Sequence, residues 1–203
     1  MTAQPDLSRI PPDPFERALD FVLHWETSRY TETPGDRGGA TKWGVTLATL
    51  QGRGQHEGDL DGDGDVDKED VKLLTRVQAS AIYRKNFWDA VNGDGIAAVS
   101  PDMAFCVFDG AVQHGPKTSA RMFQRTAQVQ EIDGMVGKVS LACYRLRRMK
   151  LGERQLLEIY LERRRGLYAS IILRDPTQAK WRAGWRNRRN ALRAEIGLPP
   201  EEE

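Results

Sequence analysis

The chain has 203 residues, of which 39% are hydrophobic and 29% are charged, and its formal net charge is +1. This composition is ordinary for a soluble globular protein, and the length is sufficient for a hydrophobic core. No apolar run is long enough for a membrane helix, and the first residues lack the basic and apolar pattern of a signal peptide. These features exclude a membrane-spanning protein, and we expect synthesis in the cytoplasm.

The hydrophobic pattern predicts a mostly helical protein. Residues 1–14 contain four prolines and no periodicity, which indicates a tail. Apolar residues then recur at helical spacing from Phe15 to Glu26, which predicts the first helix. Further helices are predicted over residues 67–86, 103–112, 118–127, 138–150, 153–173 and 177–196. The apolar run MAFCVFDGAV indicates that the helix over residues 103–112 is the central buried one. The fold class is therefore all-α, or α+β if one small hairpin is counted.

Glu26 is the first candidate for chemistry. It continues the apolar stripe of Phe15, Leu19 and Val22, so its carboxyl is expected on the core side of the helix, next to Trp25. Apolar surroundings and the negative end of the helix dipole both favour a protonated carboxyl, which a general acid requires. The alternative is a surface glutamate paired with Arg29 or Lys42.

A glycine-rich segment after Glu26 predicts a short hairpin that carries Asp36 and Thr41. If this hairpin folds back over the helix end, all three side chains can meet in one cleft. Glycoside cleavage needs an acid on one side of the bond and a second polar group on the other, to stabilise positive charge or to hold water. The alternatives are a turn aspartate and an ordinary strand threonine.

The segment WETSRYTETPGDRGGATKWGVTLATL resembles the signature of the glycoside hydrolase family 108 muramidases. The family's two glycines after the glutamate are replaced here by Thr27, Ser28 and Arg29. The resemblance implies a lysozyme-like fold with the cleft beside the hairpin, Glu26 as catalytic acid, and Asp36 and Thr41 as its partners. The matching positions are Glu26, Tyr30, Asp36, Gly38, Gly39, Thr41, Gly44 and Thr46.

The second half resembles the helical peptidoglycan-binding region that follows in this family. The matching positions include Asp109 within VFDGAVQHG. We therefore predict a catalytic region over residues 15–100, a helical peptidoglycan-binding or core region over residues 101–198, and a frayed tail over residues 199–203. The predicted substrate-binding residues are Tyr30, Trp43, Asp109 and His114, and the alternative for His114 is a helix cap.

The segment DLDGDGDVDKED has the pattern of an EF-hand calcium loop. Gly64 stands at the sixth position, where the loop turns sharply, and Asp67 at the ninth could act through water. The preceding GRGQHEG is not expected to be helical, which makes this a lone loop with a structural role, and the alternative is a solvated acidic loop. The predicted Ca²⁺ ligands at positions 1, 3, 5, 7 and 12 are Asp59, Asp61, Asp63, Asp65 and Asp70.

Basic residues outnumber acidic ones in the last third of the chain. Residues 141–193 contain 15 Lys and Arg but four Asp and Glu. The last helix is expected to bury Trp181 and Trp185 and to keep its basic face in water, where it could attract an anionic envelope. Cys106 and Cys143 lie among apolar residues, which favours reduced thiols over a disulfide.

Together these patterns predict an endolysin of the phage kind, a monomer that hydrolyses the β-1,4 bond between N-acetylmuramic acid and N-acetylglucosamine in peptidoglycan. It would act in the periplasm or at the cell wall after holin-type release. The alternatives are a lytic transglycosylase and a non-catalytic peptidoglycan-binding or virion module. A nucleic-acid binder ranks last, because no reading motif accompanies the basic helix.

Overall fold

The computed structural model describes residues 13–26, 28–32 and 39–201. The protein is mostly helical, as predicted, and its strands form one two-stranded sheet within those ranges. Buried side chains from the first helix to the last belong to one hydrophobic cluster. The predicted catalytic and helical regions therefore share a core. No helix among the described residues is both long and apolar enough to cross a membrane.

The first helix, α1, spans Pro14–Trp25. The Asp13 side chain caps it by accepting hydrogen bonds from the backbone N–H groups of Phe15 and Glu16, at 2.8 and 3.2 Å. The predicted apolar stripe is buried against the core. Glu26 is the C-cap residue and has an extended backbone, so α1 ends at the proposed acid.

A two-residue hairpin follows, with β1 at Thr41–Lys42 and β2 at Val45–Thr46 in antiparallel register. Its turn residues Trp43 and Gly44 both have positive φ, 54° and 71°, which a tight hairpin of this length requires. Thr31 forms an isolated bridge with Thr41, so the segment after Glu26 lies beside β1.

The prediction of one continuous helix over residues 67–86 is wrong, because the helix ends at Leu74. Thr75 there begins a new helix, and its side chain and that of Gln78 form a capping box. The helices of this region are α2 (Leu47–Gln51), α3 (Gln55–Gly58), α4 (Lys68–Leu73) and α5 (Arg76–Tyr83), followed by a π-helical turn (Arg84–Trp88), a 3₁₀ turn (Asp89–Val91) and α6 (Gly93–Ala97). The segment before the acidic loop, expected to be non-helical, contains the single turn α3.

The central helix α7 spans Pro101–His114 and is buried from Met103 to Ala111, which confirms the prediction. It packs against α1, α6, α8 and α10. Phe108 makes edge-to-face contacts with Phe15 and Trp88, at centroid distances of 5.7 and 5.6 Å. These rings join α7 to the start of the chain.

Four helices complete the fold: α8 (Pro116–Ala127), α9 (Lys138–Leu151), α10 (Glu153–Arg174) and, after a 3₁₀ turn (Pro176–Trp181), α11 (Arg182–Glu195). The expectation of a solvated basic face on the last helix holds for Arg182 and Arg186, which are exposed, but not for the three arginines that follow. Arg188, Arg189 and Arg193 are 6–7% exposed, whereas Trp181 is 54% exposed. Each buried arginine has an acidic partner, which offsets the cost of burying its charge.

The C-terminal segment is not frayed as far as residue 201. Arg189 binds both carboxylate oxygens of Glu201, each at 2.7 Å, and the backbone N–H of Glu201 donates to Asn190. Both cysteines are free thiols, Cys106 fully buried and Cys143 partly buried, as expected.

Candidate active site

Glu26 lies where α1 ends and the hairpin folds back. Its side chain is 29% exposed, so it is neither free in solvent nor enclosed in the core. The expectation of purely apolar surroundings is wrong, because the guanidinium of Arg188 lies 3.2 Å from Oε1. The partner comes from α11 and is neither Arg29 nor Lys42, the two candidates near it in sequence.

The hairpin turn packs directly on Glu26. A Cβ added to Gly44 would lie 3.0 Å from Glu26 Cγ and 2.3 Å from the Tyr83 hydroxyl oxygen. Only glycine fits between these groups. The Tyr83 hydroxyl donates to the Trp43 carbonyl at 3.1 Å, and burial, helped by the charge of Glu26, raises the pKa of Tyr83. The hairpin turn therefore packs against the Glu26 side chain and is hydrogen-bonded to Tyr83.

Trp43 occupies the left-handed region at φ 54°, which is strained for a bulky side chain. Backbone strain of this kind is often found at functional sites. The Trp43 side chain is partly buried and packs on the core. Its place in the turn beside Glu26 fits the prediction that it contacts substrate.

Arg188 is held by a buried ion network. Its Nε and Nη2 both donate to Asp109 Oδ1, at 2.9 and 2.7 Å, while Nη1 faces Glu26. Arg164 lies 2.5 Å from the other Asp109 oxygen, and both of these side chains are fully buried. Burial alone would raise the pKa of Asp109, but the guanidiniums of Arg164 and Arg188 hold it below its ordinary range. A charged carboxylate thus fixes the arginine that reaches the candidate acid.

The prediction that Asp109 binds substrate is wrong, because the side chain is 0% exposed. Its contacts make it a positioning residue for Arg188. His114, at the end of the same helix, packs against Tyr168 with ring centroids 4.7 Å apart. Burial first, and then the charge of Arg164, lower the pKa of His114 to about 3, so its ring is neutral. A substrate contact through His114 stays a prediction.

The other predicted site residues flank the hairpin. Thr41 pairs with Thr46, and its hydroxyl donates to the Gly39 carbonyl at 3.3 Å. Tyr30 is partly buried, and its hydroxyl donates to Glu32 at 2.8 Å. Asp36 lies outside the described residues, so its place relative to Glu26 stays a prediction.

The acidic loop presents its carboxylates in two groups. Asp59, Asp61 and Asp63 form one group, and Asp65, Asp67 and Asp70 form the other, with ligand atoms in each group within 4.8 Å of one another. The Asp67 carboxylate therefore groups with those of Asp65 and Asp70. The sequence had predicted that Asp67 contacts the metal through water.

The backbone of this loop has the turn that the pattern predicts. Gly64 at the sixth position has φ 101°, and the Asp59 side chain accepts backbone hydrogen bonds from Gly62 and Gly64. Asp63, by its like charge, raises the pKa of Asp65. A cation among these carboxylates would relieve that repulsion.

Asp70 closes the loop and is 1% exposed. One of its oxygens accepts backbone hydrogen bonds from Leu60 and Asp61, and the other accepts one from Asp67 at 2.7 Å. A carboxylate oxygen has two lone pairs, so one oxygen of Asp70 still has a free lone pair for a metal. Asp70 would be a monodentate ligand at the twelfth position, and Ca²⁺ binding by the two groups of carboxylates stays a prediction.

Helix α4, which leaves the loop, is joined to the segment after Glu26. Lys68 forms an ion pair with Glu32, and the Lys72 ammonium lies 5.4 Å from the centre of the Tyr30 ring. Lys42 of β1 donates to the Lys72 carbonyl. The acidic loop therefore supports the hairpin side of the site.

Sequence reasoning missed Arg188, Arg164, Tyr83 and the positioning role of Asp109. The arginines stand in a basic run whose surplus of charge suggested solvent exposure. An aspartate in the middle of an apolar helix was the available signal, because a buried carboxylate needs a cationic partner.

Comparison with known proteins agrees with this arrangement. The glycosyl hydrolase 108 family matches residues 19–115, and a domain described as "Predicted Peptidoglycan domain" matches residues 109–190. Among solved structures, SagA of Brucella abortus is similar, with 29% identity, a TM-score of 0.68, and coverage of 93% of this chain and 97% of that chain. No curated protein matches the sequence.

These matches make the protein a glycoside hydrolase that degrades the bacterial cell wall, with peptidoglycan as its partner. Asp109 lies in the overlap of the two matched regions, and its ion network joins Glu26 of the first to Arg164 and Arg188 of the second. Residues 19–115 therefore carry the glycosyl hydrolase 108 match, and residues 109–190 carry the peptidoglycan domain that follows it.

Proposed function

We propose that the protein is an N-acetylmuramidase that hydrolyses the β-1,4 bond between N-acetylmuramic acid and N-acetylglucosamine, with Glu26 as general acid. The observation that carries the proposal is the position of Glu26, a partly exposed carboxyl at a helix end, packed under a strained hairpin turn and held by a buried arginine. A carboxyl at this position is placed to reach the glycosidic oxygen as the bond breaks, and the contact with Arg188 orients it without supplying the proton.

Arg188 acts on Glu26 as a positioning residue. Its fork is bound to Asp109, which leaves one nitrogen to orient the carboxyl. Asp36 and Thr41 are proposed to stabilise positive charge on the sugar or to hold the attacking water on the hairpin side. Trp43 and Tyr30 are proposed to contact the saccharide there.

The test is digestion of purified peptidoglycan by wild type, Glu26→Gln and Glu16→Gln, with fragments weighed by mass spectrometry. Glu16 is a matched control on the same helix, exposed and 3.5 Å from Arg76. We expect reducing muropeptides from wild type and the control, and a rate lower by roughly 10²–10⁴-fold for Glu26→Gln. Full activity of Glu26→Gln would refute the assignment, and anhydro products would identify a lytic transglycosylase.

We also propose that the acidic loop binds one Ca²⁺ with a structural role. The twelve-residue pattern, the turn at Gly64 and the contacts of α4 with the hairpin segment support it. The ion would neutralise the loop and fix α4, which supports Tyr30 and β1. Calorimetric titration of metal-free protein with Ca²⁺ tests this proposal, and no heat of binding would refute it.

A role in host lysis after holin-type release is proposed on the resemblance to endolysins. Expression in a bacterial host with and without a co-expressed holin tests it. Lysis that requires the holin supports the proposal, whereas lysis without it indicates another route to the wall.

A further inference from the structure

A cavity of about 530 Å³ lies between the C-terminal half of α10 and the segment formed by the last 3₁₀ turn and α11. It is outside the cleft described above. Its apolar wall includes Tyr168, Ile172 and Trp185, and the Tyr168 and Trp185 rings are stacked at 4.7 Å with 25° between their planes. The wall is therefore a rigid aromatic surface.

The rim of the cavity is cationic. Its one lining carboxylate, Glu201, is already bound by both nitrogens of the Arg189 fork. Lys180 lies over the Trp181 ring at 5.2 Å, and the Arg182 guanidinium has no ion pair within the described part of the chain. An aromatic wall beneath cations fits a ligand that combines carboxylates with small apolar groups.

One wall of the cavity lies on the same helix as the arginine that contacts the proposed acid. Trp185 and Arg188 are three residues apart on α11, which is about 4.5 Å along the helix axis. Arg188 contacts Glu26, and Tyr168 on the cavity wall contacts His114 on α7. The cavity wall and the proposed active site are therefore joined through α11 and α7.

We propose that this cavity binds the stem peptide of peptidoglycan, on the strand whose muramic acid lies at the cleft. This inference rests on the proposed function. The stem peptide hangs from muramic acid, carries free carboxylates and has alanine methyl groups. Four extended residues span about 13 Å, enough to reach from the cleft past one helical turn. The carboxylates would face Lys180 and Arg182, and the methyl groups would contact Trp185.

The test compares the double variant Lys180→Glu/Arg182→Glu with Arg145→Glu/Lys150→Glu. The control makes the same changes at two exposed positions of α9. Binding of the free tetrapeptide L-Ala-γ-D-Glu-meso-diaminopimelate-D-Ala is measured by calorimetry. We expect the cavity variant to bind more weakly than wild type, by up to about fivefold for each of the two exposed ion pairs lost, and the control to bind as wild type does.

Activity gives a second readout. Wild type is expected to cleave stem-bearing peptidoglycan faster than glycan strands stripped by an amidase, and the cavity variant is expected to lose that preference. Cleavage of neither substrate would refute the proposed function, while the tetrapeptide titration would still report on the cavity. Equal tetrapeptide binding by variant and control overturns the inference. Unchanged tetrapeptide binding with loss of binding to phosphatidylglycerol vesicles would assign the cavity to a membrane surface instead.

Discussion

The substitution Asp109→Asn tests whether the buried ion network holds the site together. Asp109 is the one carboxylate between Arg164 and Arg188, and all three side chains are at most 7% exposed. An asparagine keeps the shape but removes the charge, so buried Arg164 loses its counterion and buried Arg188 keeps only Glu26. Breaking a buried pair in this way costs about 3–5 kcal/mol. In a chain of this size, 1 kcal/mol shifts the melting temperature by roughly 2–4 °C.

We therefore expect Asp109→Asn to lower the melting temperature by roughly 6–20 °C in thermal denaturation followed by circular dichroism. Asp102→Asn is the matched control, because Asp102 lies on the same helix and also pairs with an arginine, at 2.7 Å, but is 36% exposed. A surface pair contributes at most about 1 kcal/mol. Equal shifts for the two variants would refute the argument that burial gives the network its weight.

The same variant has a pH signature. The folded-state pKa of Asp109 is below its ordinary value, so its contribution to stability is present above the unfolded pKa of about 3.9 and is lost as the pH falls through the folded pKa. Wild type should lose more stability than Asp109→Asn on acidification below about pH 4. Parallel pH–stability curves in urea titrations would contradict this assignment.

Three further predictions concern the hairpin, the neutral histidine and the acidic loop. Gly44→Ala should reduce peptidoglycan cleavage far more than Gly54→Ala, because both positions have positive φ but only the Gly44 Cβ meets the Tyr83 hydroxyl; equal activity losses in a turbidity assay would refute this. His114 has a folded pKa of about 3, below the unfolded value of about 6.5, so protonation favours the unfolded state and stability should fall as the pH drops through that window. His114→Gln should flatten this part of the urea-derived stability curve, and an unchanged slope would contradict it. Saturating Ca²⁺ at 100 times its Kd should raise the free energy of unfolding by about 2.7 kcal/mol, and Asp59→Asn, which alters a side-chain ligand, should weaken that effect; a melting temperature unaffected by chelator would refute it.

The sequence predicted best the elements whose hydrophobic pattern is long. Helix α1 has a clear apolar stripe and α7 a continuous apolar run, and the ends of both lie within two residues of the predicted limits. The break at Leu74 was missed, although Thr75 and Gln78 have the spacing of a capping box. The apolar residues on both sides continue at helical spacing, so periodicity alone does not reveal the break.

The candidate site divides in the same way. Glu26 and the hairpin could be assigned because they are close in sequence, and a glycine-rich segment after a helix restricts where the chain can turn. Arg188 is 162 residues from Glu26 and 79 from Asp109, so no local pattern connects them.

The basic composition around Arg188 predicted solvent exposure, since a basic run usually lies in solvent, but Arg188 is buried. Arg188 is buried because α7 places Asp109 in the core. An unpaired buried carboxylate would destabilise the fold far more than a carboxylate paired with two buried guanidiniums. Two nitrogens of the Arg188 guanidinium donate to Asp109, and the third, Nη1, is directed at Glu26 at the end of α1. A requirement of the core therefore fixes a partner for the proposed catalytic carboxyl, and this partner comes from the region that matches the peptidoglycan domain.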